Sequence, residues 1–101
     1  MNELGIMEKE IRNCISELAD LLEIVGECRW SDDLKKLYKD KSSPLELWLV
    51  KITRLFGGMG SLNDLRLNNG DDDRVKDELT GRLYDMASRY LDEIRGKDAN
   101  D

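Results

Sequence analysis

The opening quarter of the chain constrains the fold most. Leu4, Met7, Ile11, Cys14, Leu18, Leu21 and Val25 recur at alternating steps of three and four, which is the period of one face of an α-helix. Ile15 and Leu22 widen the stripe beyond a narrow coiled-coil seam, so a globular core is expected beneath it. Asn2 can cap the start, and Gly26 lies where the helix would end. The spacing predicts an amphipathic helix over residues 2–26. Its outer face carries Glu3, Glu8, Glu10, Glu17, Asp20, Glu23 and Glu27 against Lys9 and Arg12.

Three further helical segments follow. Ser31 before Asp32 and Asp33 reads as an N-cap with acids in the first turn, where they complement the helix dipole. Leu34, Leu37 and Tyr38 then give a short apolar face over residues 31–41. Ser43, Pro44 and Glu46 read as N-cap, first-position proline and capping-box acid of a helix over 43–56. That segment is apolar on more than one side (Leu45, Leu47, Trp48, Leu49, Val50, Ile52, Leu55 and Phe56). Such a helix is central to a bundle or shows surface to a partner. Gly57, Gly58 and Gly60 stop it, and a loop over 57–71 ends in the turn formers Asn68, Asn69 and Gly70. Asp71, Asp72 and Asp73 offer a cap and dipole partners for a last helix over 72–95, in which Val75, Leu79, Leu83, Met86, Tyr90 and Ile94 keep helical spacing. Gly81 in its interior costs about 1 kcal/mol relative to Ala unless close packing needs it. Residues 96–101 are polar and expected to fray. No strand run rivals these segments. The sequence predicts one domain over 1–101, a small all-α four-helix bundle with a Gly-rich loop between helices three and four.

Charge narrows the function. The 101 residues hold 16 Lys and Arg, 22 Asp and Glu and no His, a net charge of −6. An acidic balance argues against nucleic acid, whose phosphates need clustered Lys and Arg. Without His, the commonest neutral-pH general base and metal ligand is missing. The charge is uneven: residues 1–27 carry −5, residues 28–70 carry +3 and residues 71–101 carry −4. Two acidic helices thus flank a mildly basic middle. Such a surface keeps a protein in solution, and it is also a field complementary to a basic protein. Cys14 falls in the first stripe and Cys28 just past its end. One continuous helix would hold them about 20 Å apart, too far for a disulfide, and two thiols fall short of a zinc site. Both read as reduced core or boundary thiols. No apolar run reaches the roughly 18 residues of a membrane span, and the acidic N-terminus lacks a signal-peptide core. The expectation is a reducing cytoplasm, with no membrane, metal or cofactor.

Motifs for chemistry fail one by one. A phosphate loop needs GxxxxGK[ST] after a strand, whereas residues 57–61 follow a helix and contain no Lys. Aligning Gly70 to the sixth position of an EF-hand puts Leu65 and Leu67 at ligand positions and Lys76 where the bidentate Glu belongs. No His backs Ser61, Cys14 or Cys28 as a nucleophile. Trp30 and Trp48 read as core. Tyr84, beside Leu83, is the better exposed aromatic contact.

The segment Phe56-Gly57-Gly58-Met59-Gly60-Ser61-Leu62-Asn63-Asp64-Leu65 resembles the signature of a family of small bacterial all-α proteins. Their order is an amphipathic helix, a Trp-containing helix, an aromatic-GGMGS-x-ND-L loop and a final helix. Trp30 with Leu34, and Leu65-Arg66-Leu67, follow the same order. The resemblance implies a bacterial accessory role, for some members immunity against secreted polymorphic toxins, and it implies no catalytic residues. The loop itself can be structural, with Gly57, Gly58 and Gly60 allowing positive φ and close approach while Met59 and Leu62 plug the core. It can also present Met59, Ser61, Asn63 and Asp64 to a partner. The function expected is a non-enzymatic immunity protein. It would bind a basic cognate toxin through Glu17, Asp20, Asp64, Asp71, Asp72 and Asp73 together with that loop. The alternative is a regulatory or scaffold homodimer formed through the apolar third helix.

Overall fold

The structure, a computed structural model, describes residues 3–56 and 60–96, with side chains from residue 5. The caps and plugs expected at Asn2, Gly57, Gly58 and Met59, the side chain of Leu4 and the tail 97–101 lie outside the described residues. Four helices form a small all-α bundle: α1 (Glu3–Ile24), α2 (Cys28–Lys39), α3 (Leu45–Thr53) and α4 (Gly70–Ile94). A single 3-10 turn, Leu62–Asp64, lies between α3 and α4. Among the described residues no helix is long and apolar enough to cross a membrane. At 1.5 Å per residue α1 and α4 run about 33 and 37 Å, which sets the 45 Å long axis of the molecule.

α1 packs between α2 and α4, while α3 and the 3-10 turn pack on α4. Neighbours on two sides give α1 the broad buried face expected from Ile15 and Leu22, and add Ala19 to it. Ile11, Cys14, Ile15, Leu18, Ala19 and Leu22 are buried, while Met7, Leu21 and Val25 flank them. Leu34 of α2, Trp48, Leu49 and Ile52 of α3, Leu62, and Leu79, Leu83, Ala87, Tyr90 and Leu91 of α4 complete the core. Gly26 takes φ +91 in the α1–α2 turn, a conformation that only Gly adopts without strain.

Several helix starts differ from the sequence reading. α2 begins at Cys28, three residues before the expected cap. Ser31 is instead buried inside α2, where its hydroxyl donates to Ala19 O of α1 at 2.9 Å. A Ser that can reach a carbonyl across a helix–helix contact need not cap, and tertiary contact decides between the two. Ser43 does not cap α3 either. It and Ser42 close a turn on the Asp40 carboxylate, with backbone N–H bonds of 3.0 Å each and a 2.7 Å bond from the Ser43 hydroxyl. Pro44 becomes the N-cap, and Glu46 pairs with Arg95 at 3.0 Å rather than closing a capping box. α3 ends at Thr53, short of Phe56, because Leu55 and Phe56 bond back three residues and tighten the last turn. At the last helix Asn69, not Asp71, is the cap; its side chain accepts from the backbone N–H of Asp71 and Asp72. Asp71, Asp72 and Asp73 do fall in the first turn, where the dipole favours them.

The other correction governs the site. Val75, expected on the buried stripe of α4, is 43% exposed, while Lys76 is fully buried in its place. Lys76 Nζ donates to Leu65 O at 2.5 Å and lies 2.8 Å from Asp77 Oδ1. Its methylenes fill apolar space and its ammonium has both an acceptor and a counter-charge, the conditions under which a charged group tolerates burial. One lysine thereby fixes the loop after α3 to α4.

Candidate binding cleft

The segment after α3 returns to the bundle through Leu62 N, which donates to Leu55 O at 2.8 Å. Gly60 holds φ +78, its N–H donates to Asp64 Oδ2 at 3.1 Å, and the Ser61 hydroxyl donates to Asn63 Oδ1. Leu62 is wholly buried and plugs the core as expected. With Lys76 holding Leu65 O, this turn packs on α4 and borders a cleft of about 690 Å³ lined by Thr53, Phe56, Asn63, Asp77, Thr80, Gly81 and Tyr84. That volume lies within the usual range of ligand sites.

Phe56 and Tyr84 form one wall. Their rings meet edge to face, with centroids 5.3 Å apart and planes at 72°, the arrangement favoured by opposed ring quadrupoles. Tyr84 is 48% exposed, so the pair is accessible. Asp77 supplies the charge. Its carboxyl is held below its ordinary value chiefly by the hydrogen bond from Lys76, with the charges of Lys76 and Arg66 acting in the same direction. Arg66 lies 3.6 Å from Asp77 and 3.9 Å from Asp73, and Asp73 Oδ1 accepts from Leu67 N at 2.9 Å. On the floor, a Cβ built at Gly81 would meet nothing within 4 Å. Close packing therefore does not explain this glycine, and the space it leaves belongs to the cleft.

The residues expected to contact a partner do not converge on one place. Asn63 lines the cleft, and Ser61 and Asp64 sit beside it on the same turn. Asp72 lines a recess of about 200 Å³ with Glu27 and Arg66, where the end of α1 meets the start of α4. Asp71 pairs with Arg74 at 2.9 Å. Glu17 lines a third recess, of about 370 Å³, with Glu10, Cys14 and Arg82 between α1 and α4. Asp20 is exposed and adds its field, with those of Glu23 and Asp32, to Lys35 of α2. Cys14 is no nucleophile in this setting. Its thiol donates to Leu79 O at 3.3 Å, and burial pushes its pKa up to about 11. Cys28 is exposed, and both cysteines are free. Among the described residues no group of three or more His, Cys, Asp or Glu could hold a metal ion.

Sequence reasoning missed Thr53, Asp77 and Thr80. A signal was available, since Asp77, Gly81 and Tyr84 follow one another by four and three residues and so share a face of α4 next to its apolar stripe. The stripe was right at Leu79, Leu83 and Tyr90 and wrong at Val75, where Lys76 is buried instead.

Comparison with known proteins adds the following. Residues 23–76, just over half of the chain, match the sequence profile of a family described as a domain of unknown function, DUF6966. The match runs from the end of α1 to Lys76, through the turn that carries Asn63. The mRNA cleavage and polyadenylation factor CLP1 of Debaryomyces hansenii is 26% identical over 89 residues, covering 87% of this chain. The chain spans only 18% of that relative's length. No solved structure matches the chain. With its second and third helices, the 3-10 turn and the start of α4 all inside the matched segment, the chain belongs to the DUF6966 family.

Proposed function

We propose that this chain is a non-catalytic immunity protein that acts in a bacterial cytoplasm by binding a basic toxin domain and covering its active site. The observation that carries the reading is the packing of α1 against α4. The segments net −5 and −4 in the sequence thereby become neighbours in space; Glu10 and Glu17 line the recess between the two helices with Arg82, and Asp20, Glu78 and Asp85 are exposed on the same pair of helices. Such a face mimics the charge of a phosphate-bearing substrate and steers a basic partner toward it. Ser61, Asn63 and Asp64 at the 3-10 turn, and Asp71, Asp72 and Asp73 at the start of α4, are further candidates for contact with the toxin.

The homodimer reading has less support. Of the apolar residues of α3, Trp48, Leu49 and Ile52 are buried in the chain's own core, and Leu47 is the one with substantial exposure, at 45%. The remaining exposed large apolar residues, Ile6, Ile24, Tyr38, Val75 and Tyr84, are spread over α1, α2 and α4 and do not make the patch that a stable dimer needs. Co-expression with the product of an adjacent toxin gene tests the proposal: growth is rescued and the two proteins co-purify. No rescue and no complex would overturn it.

A further inference from the structure

Apart from the Asn63 amide and the Tyr84 hydroxyl, which can both donate and accept, the cleft's polar lining offers acceptors. Thr53 Oγ1 gives its proton to Val50 O at 2.9 Å and Thr80 Oγ1 to Asp77 O at 3.0 Å. Each hydroxyl therefore has only lone pairs left to offer. The Asp77 carboxylate also only accepts. Its two cations, Lys76 and Arg66, both make their closest approach at Oδ1, which leaves Oδ2 as the oxygen for a newcomer. Facing these acceptors is the Phe56–Tyr84 wall, whose ring face attracts cations. Gly81 keeps the space between them clear.

A planar cation that donates and does not accept suits the two threonine hydroxyls, the Asp77 carboxylate and the ring wall together. A guanidinium has five N–H donors in a fixed plane, stacks on aromatic rings and is weakly hydrated. The same fold uses the combination once internally, where the Arg12 guanidinium lies 4.3 Å over the Trp48 ring and donates to Tyr38 O and Asp40 O. We propose that the cleft is the socket for an arginine side chain of the basic toxin, stacked on Tyr84 and bonded to Asp77 Oδ2 and the hydroxyls of Thr53 and Thr80. This rests on the immunity reading for the partner's identity. The incoming group takes Oδ2 and leaves at Oδ1 both Arg66, 3.6 Å away, and Lys76, which is buried and held by Leu65 O.

The test is a titration of the isotope-labelled full chain with N-acetylarginine amide, with the uncharged isostere N-acetylcitrulline amide as control. The expected result is saturable shifts of the Thr80, Gly81 and Tyr84 amides with arginine and none with citrulline. Asp77→Asn and Tyr84→Ala weaken the effect by about tenfold, a change of ~1.4 kcal/mol in binding. Gly81→Leu, whose side chain enters the open space, abolishes it, and Glu17→Gln leaves it unchanged. Equal shifts with citrulline, indifference to Asp77→Asn, or shifts centred on Glu10 and Glu17 overturn the socket. Full toxin neutralisation by a folded Gly81→Leu variant overturns it too, while leaving the immunity reading standing. Failure of the wild-type chain to protect removes that reading instead, and the arginine titration still decides the socket.

Discussion

Lys76 shows how one side chain can decide local architecture. It is charged and fully buried, and its ammonium is the recorded donor to Leu65 O. Lys76→Met keeps the stem but orphans that carbonyl, and should destabilise the fold by about 1–3 kcal/mol in thermal unfolding. An unchanged or raised melting temperature would show that the anchor is dispensable. Gly81 predicts the opposite sign. Its position is helical and its Cβ space is empty, so Gly81→Ala should stabilise by up to ~1 kcal/mol. Loss of stability would mean that the floor of the cleft is tighter than its geometry implies.

At the scale of elements, three helices meet at Arg12. From α1 its guanidinium caps the end of α2 through Tyr38 O at 2.5 Å and Asp40 O at 3.0 Å, pairs with Glu8 at 3.1 Å and covers Trp48 of α3. Trp48 in turn donates its indole N–H to Leu37 O at 2.9 Å. A lysine keeps the charge but loses the planar fork, so Arg12→Lys should cost about 1–2 kcal/mol by urea denaturation; a loss within error would assign the junction to Trp48 alone. The adjoining α2–α3 turn carries a pH dependence. The Asp40 carboxyl is held well below its ordinary value, first by the Ser43 hydroxyl and then by the Ser43 backbone N–H. Because the folded pKa is the lower one, this contribution is complete above the ordinary value of 3.8 and is lost as pH falls below it. The stability gap between wild type and Asp40→Asn should therefore stay constant at pH values well above 3.8 and shrink as the pH falls below it. A gap that does not change with pH would place the role of Asp40 in shape rather than charge.

At the scale of the whole molecule, two acidic helices sit side by side along a 45 Å axis. Toxin association should be steered by that field and fall by about tenfold in rate between low and high salt. Dissociation, governed by the desolvated contacts, should change less. Stopped-flow binding across a salt series separates the two. Association insensitive to salt would remove the acidic face from the mechanism.

Much of this protein was legible in its sequence. The four helices and the all-α bundle follow from apolar residues at steps of three and four, because a helix must bury one stripe whatever its neighbours are. The stops were partly legible: Gly26 ends α1 at positive φ, since only glycine takes that conformation without strain. Caps were less so. Ser31, Ser43 and Glu46 carry the right chemistry for helix starts, yet Ala19, Asp40 and Arg95 outbid the helix ends for their hydrogen bonds. Of the cleft, only the shared face of Asp77, Gly81 and Tyr84 on α4 was legible. The cleft exists because Lys76 enters the core, fastens Leu65 and sets Asn63 opposite Phe56, Asp77 and Tyr84. The sequence alone determined which segments are helical and where the charge lies along them, because both depend on near neighbours in the chain. Only the tertiary structure decided which polar groups meet, because bonds such as Ser31 to Ala19 and Arg95 to Glu46 join residues far apart in the chain, and even a near one such as Ser43 to Asp40 goes to whichever acceptor packing brings within reach.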